Sequence, residues 1–493
     1  MEKCLLKCLA ALALILSAIG CGADAQNEIY EESMRKIEAR QPEDAKEDPA
    51  GAVIKYWSLF PLETDGSMKR LVSEFKGIHP NIEFESASVA YNGSLQYGDV
   101  FSADFYERQI SNLELLILSG DAPDVIQEPR LLKYGKYVKN GYFADFKELM
   151  DDDASFSADG YYSNILSAKE TGGKLYAFPA SIEPCYAMIN KAAADSAGID
   201  VAGARQATIY QLLDWYGAFR ASNPDIPAVQ AAYYNALAKD SEKYKNWRFS
   251  ELLENQKLSY NYESGIYFSS SNSRSLLLMN FGLYDFMLEG SLPALRIARL
   301  MKELKDIEEP LQFGGYTATG VAFPDEFCLI DFMTSSQSAV KFNRYEMSSD
   351  VIPLVDEDGR RLFSTSDYAI ASSSKAITIS WEFIKFLVED KQLNDYKINE
   401  SPINSEFWGV WADYLGFPIN RSNCEAIVSY YTHSSQKFGY IEEWISSLEQ
   451  FIWADDSMPK TISEIASRYY DDLIGIEQAI EEMSERIDMY LNE

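Results

Sequence analysis

The residues that could do chemistry in this chain are few. Asp151-Asp152-Asp153 and Asp455-Asp456 are the carboxylate clusters of the kind that glycoside hydrolysis uses in pairs. Both lie in polar stretches, where acidic clusters are mostly just solvated. Two histidines occur, His79 beside Pro80 and His433 in a polar stretch. They leave little from which to build a Ser-His-Asp triad or a His-based zinc site. Neither belongs to a motif, so both read as surface or structural residues. Of six cysteines, Cys4, Cys8 and Cys21 fall in or at the end of an apolar leader. Cys185, Cys328 and Cys424 remain, widely spaced and without a Cys-x-x-Cys pair, and read as three buried apolar thiols. Neither a nucleophile–base pair nor a metal cluster emerges, so no cofactor is expected and binding is favoured over turnover.

The amino terminus has its own chemistry. Lys3 and Lys7 flank an apolar run that ends at Gly20-Cys21, too short to span a bilayer as a permanent helix. Residues 1–20 read as a secretion signal. Ala18-Ile19-Gly20-Cys21 resembles a bacterial lipobox, with Ala18 where Leu is usual, and this makes Cys21 the expected site of lipidation. Residues 21–50, rich in Glu, Asp, Ala and Gln, read as an acidic tether. The rest of the chain offers no other apolar stretch of membrane-spanning length. The expected location is the outer face of a bacterial cytoplasmic membrane.

The elements that must position any site follow from periodicity. The chain has 493 residues, 47% of them hydrophobic and 13% aromatic, enough for two or more packed lobes. Its 44 basic against 76 acidic residues give a formal charge of -32, which repels nucleic acid and anionic lipid. Val53–Trp57 reads as a strand. Met68, Leu71, Val72 and Phe75 mark a helix ended by Gly77, and Asn81–Glu85 a second strand. Ile110, Leu113 and Ile117 mark another helix stopped at Gly120, before the apolar pair Val125-Ile126. Tyr134, Tyr137 and Val138 mark a third, ending at Asn140-Gly141. Leu212, Leu213, Tyr216 and Phe219 share a helical face, as do Trp381, Ile384 and Val388. Apolar steps of three and four from Ile462 to Leu491, Leu473 among them, predict two closing helices broken near Gly475. The alternation defines an α/β protein with a largely parallel sheet, whose ligands bind beyond the carboxyl ends of the strands.

These segments, in this order, resemble the family 1 extracellular solute-binding proteins of ABC importers. The resemblance rests on Phe75–Phe84, Leu118-Ser-Gly-Asp-Ala-Pro-Asp-Val-Ile126, Tyr137–Phe146, Gly173–Pro179, Ser373–Lys375 through Phe386-Leu387, and Glu477–Glu493. It lapses between about Ala232 and Gln312 and around Asn420 to Pro459. It implies a two-lobed periplasmic-binding-protein fold, type II-like, with a ligand cleft between lobes that close by a hinge motion. Residues 51–180 with 366–415 would form the first lobe, and 181–365 with 416–493 the second. The implied function is capture of a small solute, an oligosaccharide, for the membrane permease subunits of an ABC importer. The implied state is a monomer held to the membrane by lipid. The alternatives are a carbohydrate sensor or adhesin uncoupled from transport and, behind it, a glycoside-active enzyme.

Sugars need aromatic faces for their C–H surfaces and planar polar groups for their hydroxyls. Trp57 and Phe60 follow the first strand, and Gln127, Glu128 and Arg130 the strand ending at Ile126. Under the resemblance, Glu183 and Tyr186 open the second lobe, and Asp367 stands with Tyr368 at the return crossing. Ser335 lies where the family would place an aromatic platform that this chain lacks. Trp408 joins the expected ligand-binding set, while Trp381 reads as core. Trp57 fits core as well as cleft, and Glu128 with Arg130 could be no more than a surface ion pair.

Overall fold

The structure is a computed structural model that describes residues 51–89, 103–222, 294–305, 330–333, 349–389, 416–452 and 459–492, apart from short stretches within them. The leader, Cys21, the tether, Cys328, Ser335, Trp408, Trp411, His433 and Asp455-Asp456 lie outside the described residues. The chain divides into two compact units. One holds the residues up to Gln127 with those from Ser373, and the other Glu128–Ser372 with Leu415–Glu493. The boundaries thus fall at 127/128 and 372/373, where the family pattern placed them near 180 and 365.

The first unit follows the expected βαβ order: β1 (Val53–Trp57), α1 (Gly66–Ile78), β2 (Glu83–Ser86), α2 (Ala103–Leu118) and β3 (Val125–Gln127). Strand β1 is central. It pairs in parallel with β2 from Val53↔Glu83 to Tyr56↔Ser86, and with β3 at Tyr56↔Val125 and Trp57↔Ile126. Helix α1 buries Met68, Leu71 and Phe75, the apolar face read from the sequence. It runs one residue past Gly77 and stops before Pro80, with the His79 N–H donating to the Phe75 carbonyl at 2.8 Å. The His79 ring is buried and stacks on Phe75 at 4.4 Å, so this histidine is structural. Helix α2 ends at Gly120, whose φ of +80° favours glycine. The helix Ile377–Val388 returns to this unit and buries Trp381, Phe383, Ile384 and Leu387. Phe383 packs edge-on against Phe75 and Phe84, at 5.2 and 4.9 Å. Rings in such arrangements supply much of a core's apolar burial.

The second unit is built otherwise. Its strands of four residues or more are β4 (Phe178–Pro184), β5 (Tyr186–Asn190), β6 (Ile330–Met333), β7 (Ser349–Val355), β8 (Arg361–Ile370) and β9 (Leu448–Phe451). Strand β5 lies between β6 and β7, antiparallel to both. Strands β4 and β8 run antiparallel from Phe178↔Tyr368 to Pro184↔Phe363, with a bulge between Pro179 and Ser181. Strand β9 pairs with β8 in parallel. The expectation of a largely parallel sheet therefore holds in the first unit and fails in the second. The reason is connectivity. Strands β7 and β8 are joined by a tight turn at Asp356–Gly359, with Gly359 at φ +84°, and such a turn can join only antiparallel neighbours.

The closing helices are Pro459–Tyr470 and Ile476–Asn492, broken around Gly475 as the periodicity predicts. Ile462, Ile465, Met483 and Ile487 are buried, but Leu473 is 70% exposed because it sits in the connecting turn and not on the apolar stripe. Cys185 and Cys424 are buried free thiols. Among the described residues, no helix is long and apolar enough to cross a membrane.

Candidate functional site

The second unit gathers five ionisable side chains around the β4–β8 ladder: Glu128, Arg130, Lys169, Glu183 and Asp367. Four belong to the set read from the sequence, and Lys169 does not. Glu128 opens the 3₁₀ turn Pro129–Leu131 with φ 53°, a left-handed conformation rare outside glycine and asparagine. Its N–H donates to the Asp367 carbonyl at 2.8 Å, which ties this strained residue to β8. Backbone strain of this kind concentrates at functional sites.

Asp367 is buried on β8. One carboxylate oxygen accepts from Thr365 Oγ1 at 2.8 Å, and the other from Lys169 Nζ at 3.0 Å. Lys169 follows the helix α3 (Ser163–Ala168) directly, and its side chain is 2% exposed. The ammonium also donates to Thr365 Oγ1 at 2.8 Å and lies 3.8 Å from the centre of the Phe451 ring. Burial lowers the Lys169 pKa, and the charge of Asp367 opposes that. A buried cation needs this much compensation to stay charged. Burial, and then the Asp367 charge, raises the Tyr134 phenol.

Arg130 and Glu128 form an ion pair, Nε to Oε2 at 2.8 Å, with side chains only 24% and 17% exposed. This is more enclosed than a surface pair. Glu183 is buried on β4, opposite Ser364, whose hydroxyl donates to its Oε2 at 3.1 Å. Its Oε1 has no hydrogen-bond partner among the described residues. Burial pushes the Glu183 carboxyl up to about 7, against the opposing charge of Arg130 and helped by Glu128 and Asp367. Gly416 makes the close approach to this strand possible. A Cβ there would stand 2.3 Å from the Ile182 carbonyl oxygen and 2.9 Å from Glu183 Cγ.

The other expected residues separate from this cluster. Trp57 is fully buried in the first unit, and its indole N–H finds no acceptor among the described residues. A sugar platform needs an open face, so Trp57 is a core residue here. Phe60 is half-buried and stacks on Phe105 at 6.0 Å. Gln127 accepts from the Tyr56 hydroxyl at 2.6 Å. Tyr186, on β5, is buried edge-on to Trp444 at 5.4 Å, again packing and not display. Trp381 is core, as read. Lys169 has a signal in the sequence after all. It continues the apolar stripe of Ile165 and Leu166 at spacings of four and three, a lysine where a core residue belongs.

The first unit is a parallel βαβ arrangement and the second largely antiparallel, with the ionisable residues gathered around β4 and β8. Residues 61–264 match the family model "Bacterial extracellular solute-binding protein". No curated relative matches the chain. Among solved structures it is similar to an extracellular solute-binding protein family 1 from Alicyclobacillus acidocaldarius, at 12% identity and TM-score 0.52, covering 91% of this chain and 100% of that one. It is also similar to the sugar-binding protein MalE from Xanthomonas citri, at 12% identity and TM-score 0.51, covering 90% and 98%. A de novo designed esterase aligns at 12% identity and TM-score 0.53, covering 90% and 98%. Similarity at this level speaks to fold alone. The fold is that of the two-lobed periplasmic solute-binding proteins.

Proposed function

We propose that this protein captures an oligosaccharide outside the cell, through a site that includes Glu128, Arg130, Glu183 and Asp367, and delivers it to the permease subunits of an ABC importer. The observation behind this reading is the enclosed cluster of carboxylates and cations around β4 and β8. Carboxylate and guanidinium groups pair well with sugar hydroxyls, and in an enclosed site such bonds are stronger than in water. The sugar-binding neighbour from Xanthomonas citri points to the same ligand class. The leader that ends in Gly20-Cys21 supports a lipid anchor, so the binding protein works close to its permease.

A thermal-shift screen across neutral oligosaccharides tests the proposal. A ligand held only by the folded state at about 100 times its Kd adds about 2.7 kcal/mol of stability and raises the melting temperature. A shift with at least one sugar is expected. Flat melting curves across the sugars, with a shift from a peptide, would overturn the ligand class.

A further inference from the structure

On the β4–β8 ladder, Ser181 faces Ser366, and Glu183 faces Ser364 two positions along. Side chains two apart on a strand share a face. These four polar residues therefore form one block on the same side of the sheet. Three oxygens in the block have no hydrogen-bond partner among the described residues: Ser181 Oγ, Ser366 Oγ and Glu183 Oε1. All three belong to side chains that are at least nine-tenths buried. Orphaned polar atoms in such a setting are costly, and native proteins rarely keep them without use.

The charges around the block point the same way. Among the described residues, Glu128, Glu183 and Asp367 stand against Arg130 and Lys169, one carboxylate more than there are cations. Asp367 is committed to Lys169, and Glu128 to Arg130. Among the described residues Glu183 has no ion pair of its own; it accepts from the Ser364 hydroxyl and feels the Arg130 charge at longer range.

We propose that the block Ser181, Glu183, Ser364 and Ser366 receives a primary ammonium group of the solute. Three N–H donors would meet three unpartnered oxygens, and one positive charge would balance the surplus carboxylate. Burial, the main cause of the raised Glu183 carboxyl, also makes an unpaired negative charge there costly, and an ammonium would offset it. The proposal rests on the reading above that this cluster takes the solute, and it narrows the ligand to an amino sugar.

Calorimetry on the full chain separates the possibilities, with three probes: a free-amine glucosamine oligomer, the N-acetylated oligomer of equal length, and spermidine. The free-amine oligomer is expected to bind about tenfold or more tighter than its acetylated counterpart, as a charge-assisted bond implies. Glu183→Gln should shrink that preference, and Ser366→Ala should do so more weakly with no change in the block's charge. Equal binding of the two oligomers would overturn the ammonium site and leave the oligosaccharide reading standing. Binding of spermidine alone, weakened by Glu183→Gln, would support the ammonium site and overturn the sugar reading. A preference undiminished in Glu183→Gln, or no binding of any probe, would overturn the placement.

Discussion

Lys169 and Asp367 show what one buried pair controls. Each has almost no contact with water, and each is the other's charge partner. Lys169→Met leaves the Asp367 carboxylate buried with only Thr365 for company, and should cost about 3–5 kcal/mol of stability in urea denaturation. The double change Lys169→Met/Asp367→Leu should recover most of that loss, because an apolar pair has no desolvation to offset. Glu183 makes a pH prediction. Its folded pKa of about 7 lies above its ordinary 4.5. Between those values the folded state therefore holds more proton than the unfolded one, and stability falls as pH rises. Unfolding at pH 5 and pH 8 should show that fall in the parent, and Glu183→Gln should flatten it. Glu128, Arg130, Glu183 and Asp367 could be marked from sequence because they follow strand ends or the family's crossings. Trp57 could not be resolved, because a large ring at a strand end serves a core or a cleft equally well. Only the packing around it decides.

Among the elements, the βα units of the first half were legible because their contacts are local. Apolar spacing set α1 and α2, and Gly120 stopped the second at a backbone angle that the sequence already suggested. The second unit was not legible in the same way. Strand β4 reads Phe-Pro-Ala-Ser-Ile-Glu-Pro, with two prolines and no alternation, yet all seven residues are buried. Its partner β8 lies far along the chain, and no short-range pattern announces that pairing. Gly416 is the test at this scale. Its segment runs into the short strand Phe417–Pro418, which pairs with Ile182 and Ser181, and a side chain there would strike the Ile182 backbone. Gly416→Ala should destabilise the second unit by about 1–3 kcal/mol in chemical denaturation, as other overpacked sites do. Gly77→Ala, where the added carbon meets nothing, is the matched control.

For the whole molecule, the net charge of -32 keeps copies dispersed and repels acidic surfaces. Under the proposed function, the anchor is a lipid on Cys21. Cys21→Ala should leave the protein unprocessed, or release it from the membrane fraction. An unchanged mass at the mature terminus, together with unchanged membrane retention, would count against lipidation.

The order of strands along the chain has a further consequence, for how the protein is made. Strand β4 ends at residue 184, but the strand that zips to it begins at 361, and another neighbour of that strand, β9, ends at 451. The second unit's sheet cannot close until almost the entire chain has left the ribosome. At about 5–20 residues per second, the interval between residues 184 and 451 lasts roughly tens of seconds. Throughout that time the growing chain lacks the partners that would lock it. Under the proposed function residues 1–20 are an export signal, and a chain still open when that signal is read needs no unfolding before it crosses. Its long-range topology, slow to fold as such pairings are, keeps it threadable.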